Sequence, residues 1–175
     1  MNLEHIITNT TGLVHTIAST IALIAGAYIL LAKKGTSIHK KIGYIYVIAM
    51  IIVLITSFMI YNLFDGFGIF HALAIVSVIT LVAGMFPIVL KRPKSYISLH
   101  YNFMYWSVIG LYGAFMAEIF TRIPRVVIQD KTILPIFFNM VGIAVFIVMA
   151  LGYYFMRRNR ANWEKFDSEI QNKRS

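Results

Sequence analysis

Apolar residues in this chain gather into five long runs, at about residues 12–32, 42–61, 67–90, 97–120 and 133–156, separated by short polar breaks. Each run is close to the roughly 20 residues that an α-helix needs to cross a bilayer. The pattern predicts an all-α integral membrane bundle of five transmembrane helices. The break Asn62–Gly66 (NLFDG) is so short that the second and third helices must pack as an antiparallel pair. Pro93, Pro124 and Pro135 fall at or near the ends of runs, where proline is easily accommodated, whereas Pro87 lies inside the third and predicts a kink. After residue 156 the sequence RRNRANWEKFDSEIQNKRS is polar, with Trp163, Phe166 and Ile170 at helical spacing. That spacing suits a short helix on the headgroups, and the polarity suits a frayed solvated end. The expected organisation is a transmembrane domain over 1–156 and a basic cytoplasmic tail over 157–175.

Composition turns the pattern into an exclusion. Of 175 residues 59% are hydrophobic and 13% charged, with a mean hydropathy of +0.75. A soluble domain of this length cannot hide that much apolar surface, and in a bilayer it need not be hidden. The net charge of +9 sits at the ends of the apolar runs, so it reads as membrane topology and not as a nucleic-acid surface. Of the 16 Lys and Arg residues, all but Arg122, Arg125 and Lys131 fall on one side of the five spans. The positive-inside rule then puts the N-terminus outside and the tail in the cytoplasm, in a plasma (inner) membrane. There is no cysteine, which removes disulfides, iron–sulfur clusters, thiolate metal sites and thioether-linked haem. The N-terminal MNLEHIITNTTG has no basic region, so no cleaved signal peptide is expected.

The first two runs repeat in the next two. Leu23–Lys34 (LIAGAYILLAKK) aligns without a gap on Leu81–Arg92 (LVAGMFPIVLKR), and His39–Ala49 (HKKIGYIYVIA) aligns on His100–Gly110 (HYNFMYWSVIG). The match pairs His39 with His100 and Tyr44 with Tyr105, while His15 and His71 precede their Ala-Gly pairs with a two-residue shift. A tandem two-helix repeat follows, with units of about 12–61 and 67–120, a fifth helix (133–156) outside it, and a pseudo-two-fold axis along the membrane normal.

Four histidines therefore occupy related places near helix starts: His15 and His71 toward one face, His39 and His100 toward the other. The positive end of a helix dipole favours the neutral, ligating imidazole, and ionisable groups within a span usually turn inward to a partner. Two imidazoles per site complete a haem, whose ring supplies four nitrogens, but fall short of the four ligands zinc typically takes. The expected sites are bis-histidine haem b centres, with Lys40, Arg122 and Arg125 as propionate partners; alone, each of those cations reads as a topology residue. Histidine is also tolerated at the interface for structure alone. Met104, one turn from His100, is an alternative axial ligand, and His5 is a solvated residue. Glu118 precedes Arg122 by four residues, a helix-stabilising ion-pair spacing. It also lies at a depth like that of His15 and His71, with Thr56 and Ser57 near that level. An outer site of His15, His71 and Glu118 for zinc, copper or non-haem iron, for a quinol or for protons, or for metal-dependent hydrolysis, stays open beside the haem reading, as does a non-catalytic accessory subunit. Membrane lipid and a quinol or other redox partner are the expected partners.

Two resemblances follow. The order and depth of His15, His39, His71 and His100 over residues 12–120 resemble the two-haem transmembrane cytochromes b of the ascorbate-reducible type, which implies haem near each face and electron transfer across the membrane. This chain departs from that pattern by starting its histidine set on the first helix and by the two lysines that follow His39. The strings KKGTSIHKKIGYIYVIAM and LHYNFMYWSVIGLYGAFMAEIFTRIPR are similar to an uncharacterised family of predicted bacterial membrane proteins, which implies the membrane fold and no activity.

Overall fold

A computed structural model describes residues 10–60, 68–127 and 134–172. Within them the chain is all-helical: α1 (Thr10–Leu31), α2 (Ser37–Met59), α3 (Ile69–Leu90), α4 (Tyr96–Val127) and α5 (Leu134–Asn172). All five contain a stretch long and apolar enough to cross a membrane. The Asn62–Gly66 turn, His5 and Lys131 lie outside the described residues, as do the side chains of Arg122 and Arg125.

The first helix is apolar on the outside and mostly small on the inside. On α1, Ile17, Ile21, Ile24, Tyr28 and Leu31 form an exposed stripe, Leu31 at 89%, while Ala18, Ala22, Ala25 and Ile29 are buried. In water that arrangement would be unfavourable, because isoleucine rather than alanine should be covered. In lipid it is the expected one, since small side chains let helix backbones approach while large ones face the acyl chains. The buried stripe of α1 packs on α2, where Tyr46, Ala49, Met50 and Val53 are buried.

Local chemistry sets the turn between them. Lys34 Nζ donates to Ile29 O at 2.6 Å and Leu30 O at 2.8 Å, closing carbonyls that the end of α1 leaves open. Gly35 takes a φ of 77°, the left-handed region that glycine enters without strain. Thr36 then caps α2, its hydroxyl accepting from the His39 backbone N–H at 3.1 Å.

The chain divides into two compact units, residues 1–81 and 82–175. The first contains α1, α2 and the start of α3. In the second, α4 packs on α5 and the end of α3 meets the start of α4. Two boundaries differ from expectation. α4 continues past residue 120 to Val127, and α5 continues through the polar tail to Asn172. Up to Asn172 the tail is a continuation of α5 and not a separate surface helix, for two reasons. Residues 157–172 contain no Gly or Pro to stop a helix. The extension is also tied down, with Arg160 Nε donating to Glu164 Oε1 at 2.6 Å and the Trp163 ring lying 5.4 Å from those of Tyr101 and Tyr105.

Candidate functional site

The four histidines divide by what their helices ask of them. His39 and His71 are both the third residue of their helix, α2 and α3. At that position a residue takes part in capping the helix start. For His39 it is the backbone that takes part, its N–H going to Thr36 Oγ1. For His71 it is the ring: the Gly68 backbone N–H donates to Nδ1 at 3.1 Å. A neutral imidazole that accepts at Nδ1 carries its proton on Nε2, so His71 presents a donor there, and that nitrogen is enclosed. His71 is 4% exposed and its ring lies 6.3 Å from that of Phe58, near the end of α2.

His15 and His100 instead reach across to a neighbouring helix. His15 is the sixth residue of α1, deeper than a first-turn position, and its Nδ1 is 2.8 Å from Thr56 Oγ1 on α2. The Thr56 hydroxyl donates its one proton back to Ile52 O at 2.7 Å or Val53 O at 3.0 Å. With its proton on a backbone carbonyl the hydroxyl accepts from His15, and in that tautomer the imidazole proton is on Nδ1 and the lone pair on Nε2. His100, the fifth residue of α4, places Nδ1 2.9 Å from Gly84 O on α3. A carbonyl only accepts, so the His100 proton is on Nδ1 as well and its Nε2 is the basic nitrogen. Both rings carry the arrangement of a metal-ligating histidine, the far nitrogen oriented by a hydrogen bond to the protein.

Within the first unit the structure brings His15, Thr56, Phe58 and His71 to one end: the start of α1, the end of α2 and the start of α3. This cluster holds an acceptor imidazole and a donor imidazole. Ser57 turns its hydroxyl back to Val53 O at 2.7 Å. In the second unit Gly84 allows the close approach that His100 needs. A Cβ at Gly84 would stand 2.8 Å from Met104 Sδ and 3.1 Å from Met104 N. The Met104 thioether is packed over that glycine, which is a spacer's role. Glu118 is half-buried on α4, and Lys40 is exposed on the first turn of α2. Among the described residues no three His, Cys, Asp or Glu side chains gather into a group able to hold a bare metal ion.

Outside the membrane-spanning segments burial lowers Lys34 from 10.5 to about 8, and the hydrogen bond to Glu164 raises Arg160. Sequence reasoning named the histidines but missed Gly68 and the Gly84 carbonyl as their partners. For His71 the signal was there, in its place three residues after a helix-starting glycine. For His100 it was the Ala-Gly of the repeat, which served there only to align the two copies.

The chain matches the family described as "Predicted membrane protein (DUF2306)" over residues 12–156 and belongs to it. This agrees with the resemblance of its two motif segments to an uncharacterised membrane-protein family. No curated protein and no solved structure matches the chain.

Proposed function

We propose that this member of the family is a transmembrane b-type haem electron carrier, in which His15 and His100 would be the first residues to hold haem, one toward each membrane face. The observation that carries the reading is the His100–Gly84 tie of 2.9 Å, an imidazole fixed by a neighbouring helix with Nε2 as its basic nitrogen. His15 repeats the chemistry through Thr56. The donor set thus fits an iron-porphyrin better than a bare ion, since haem needs from the protein only axial nitrogens. Haem b, when bound, supplies a one-electron couple. The chain's part is to hold and orient the imidazoles and to keep water from them. His39 and His71 would be the remaining histidines of the set, and His71 would join only if its proton moved from Nε2 to Nδ1 and Nδ1 gave up the Gly68 N–H. Lys40, Arg122 and Arg125 are the cations for the propionates. The distribution of Lys and Arg supports an outside N-terminus and a cytoplasmic end of α5 in a plasma (inner) membrane, with a quinol or soluble donor as redox partner.

The test is an absorption spectrum of protein purified from a host supplied with haem precursor. A Soret band with split α/β bands on dithionite reduction is expected, and His100→Ala is expected to lose about half of the haem. A colourless preparation overturns the reading. One observation then favours a second. With Thr56 accepting from Nδ1, His15 has its lone pair on Nε2, whereas His71 has its proton there, and such a pair suits a quinol headgroup, which gives a proton to one side and takes a hydrogen bond from the other.

A further inference from the structure

The second unit contains a cavity of about 470 Å³ that the histidines do not touch. One wall is a stripe of α4, namely Ser98, Tyr101, Asn102 and Trp106; the other is a stripe of α5 that includes Tyr153, Arg157, Arg160 and Glu164. Its size falls among ligand pockets, which run roughly 300–1,000 Å³. We propose that this groove binds the phosphodiester headgroup of an anionic phospholipid.

Three features of the groove point to that chemistry. The first is position along the helices. The α4 wall belongs to the first turns after the basic loop of Lys91, Arg92 and Lys94, and the α5 wall straddles the change from apolar residues to Arg157, Arg158 and Arg160. Tyrosine and tryptophan beside basic residues mark the headgroup level of a bilayer. The second is charge. Arg157 and Arg160 against Glu164 leave a net single positive charge, which matches the single negative charge of a phosphodiester and falls short of the dianion of a phosphomonoester. The guanidinium of Arg157 lies 5.9 Å from the Tyr153 ring centroid, and Arg160 is steadied by its Nε bond to Glu164. The third is the direction of the hydroxyls. Ser98 Oγ donates to Tyr101 Oη at 3.3 Å and Asn102 Nδ2 donates to Ser98 O at 2.8 Å. Tyr101 is therefore an acceptor on the helix side and keeps its own proton for an oxygen in the groove. Below the cations, Met156 and Trp106 give an apolar floor for the first acyl carbons.

The experiment is native mass spectrometry of the full chain in detergent, titrated with phosphatidylglycerol, with phosphatidylcholine, and with glycerophosphoglycerol, the same headgroup without acyl chains. Phosphatidylglycerol is expected to be retained about tenfold more tightly than phosphatidylcholine, with the acyl-free headgroup weaker than both. The double variant Arg157→Gln/Arg160→Gln is expected to lose about tenfold for phosphatidylglycerol, while Arg158→Gln, which removes a neighbouring charge outside the groove, keeps it. Both sets of arginines are exposed, and unchanged circular dichroism verifies that each variant is folded. Equal affinity for the two lipids overturns the proposal, and so does an equal loss in Arg158→Gln. Equal binding of glycerophosphoglycerol overturns the lipid as its source.

Discussion

His39 and His100 stand at the same place in the two sequence repeats, yet their helices begin at different distances before them. α2 starts two residues before His39, and α4 starts four residues before His100. Two extra residues are about half a turn, enough to move a side chain from the capping position to a helix face. Thr36 makes the difference in the first copy by capping α2 and taking the His39 N–H. In the second copy the turn runs through Lys91, with a φ of 54°, and the ring of His100 meets the Gly84 carbonyl. Duplicated sequence has thus produced one histidine at a helix cap and one that ties two helices together. The residue four positions on follows the same divide: Gly43 in the first copy has nothing within 4 Å of its Cβ direction, while its aligned Met104 is packed over Gly84.

Removing the spacer should break this contrast most strongly. A Cβ at Gly84 meets not only the flexible Met104 thioether but also the Met104 backbone nitrogen at 3.1 Å, which cannot step aside. Gly84→Ala should destabilise the protein by about 1–3 kcal/mol, as overpacking does. Gly43→Ala should stay within about 0.5 kcal/mol, as a substitution into open space. Unfolding by titrated SDS, followed by circular dichroism, compares the two. Equal effects would mean that the copies pack alike.

A smaller contrast lies one position further along. Tyr105 is 6% exposed and its hydroxyl donates to Gly152 O at 2.6 Å, whereas the aligned Tyr44 is 59% exposed. A Cβ on Gly152 would come within 2.7 Å of Ile109 Cγ2, so here too a glycine opens its carbonyl to a side chain of α4. Tyr105→Phe should cost about 1 kcal/mol, the usual net worth of such a bond, and Tyr44→Phe about zero. The same SDS titration, read by tryptophan fluorescence because Trp163 lies against Tyr105, separates them.

These pairs also mark how far the sequence could be read. The helices were legible because length and apolarity act locally: any run of this kind must be helical to satisfy its backbone in lipid. The N-cap of α2 was legible in principle from Thr36 and the residues after it. The role of a histidine was not, because it depends on the atom opposite. Thr56 lies 41 residues from His15 and Gly84 lies 16 from His100, and no spacing rule says which nitrogen will face a hydroxyl or a carbonyl. The long run of α5 was hidden for the same reason. Its polar tail has ordinary helix formers and no stop signal, and what holds Trp163 in place is Tyr101 and Tyr105, far away in the chain.

The finest difference between the copies is at the turns, where Lys34 of the first aligns with Arg92 of the second. Lys34 folds back on Ile29 O and Leu30 O and is partly buried, which lowers it to about 8; Arg92 is exposed. The ordinary lysine value of 10.5 applies when the chain is unfolded. Below pH 8 both states hold the proton, and the folded state bears the cost of a partly desolvated charge. Between about 8 and 10.5 the unfolded state binds more protons, so stability should rise with pH across that window and level off above it. The rise is modest, since the ammonium is still partly wet. Lys34→Arg, which copies the second turn into the first, should flatten it, because a guanidinium keeps its charge throughout. SDS midpoints at pH 7.5 and pH 10 test the point directly. A wild-type midpoint that does not rise, or one that rises equally in Lys34→Arg, would show that the Lys34 ammonium is as freely hydrated as the Arg92 guanidinium and that the two turns differ in shape alone.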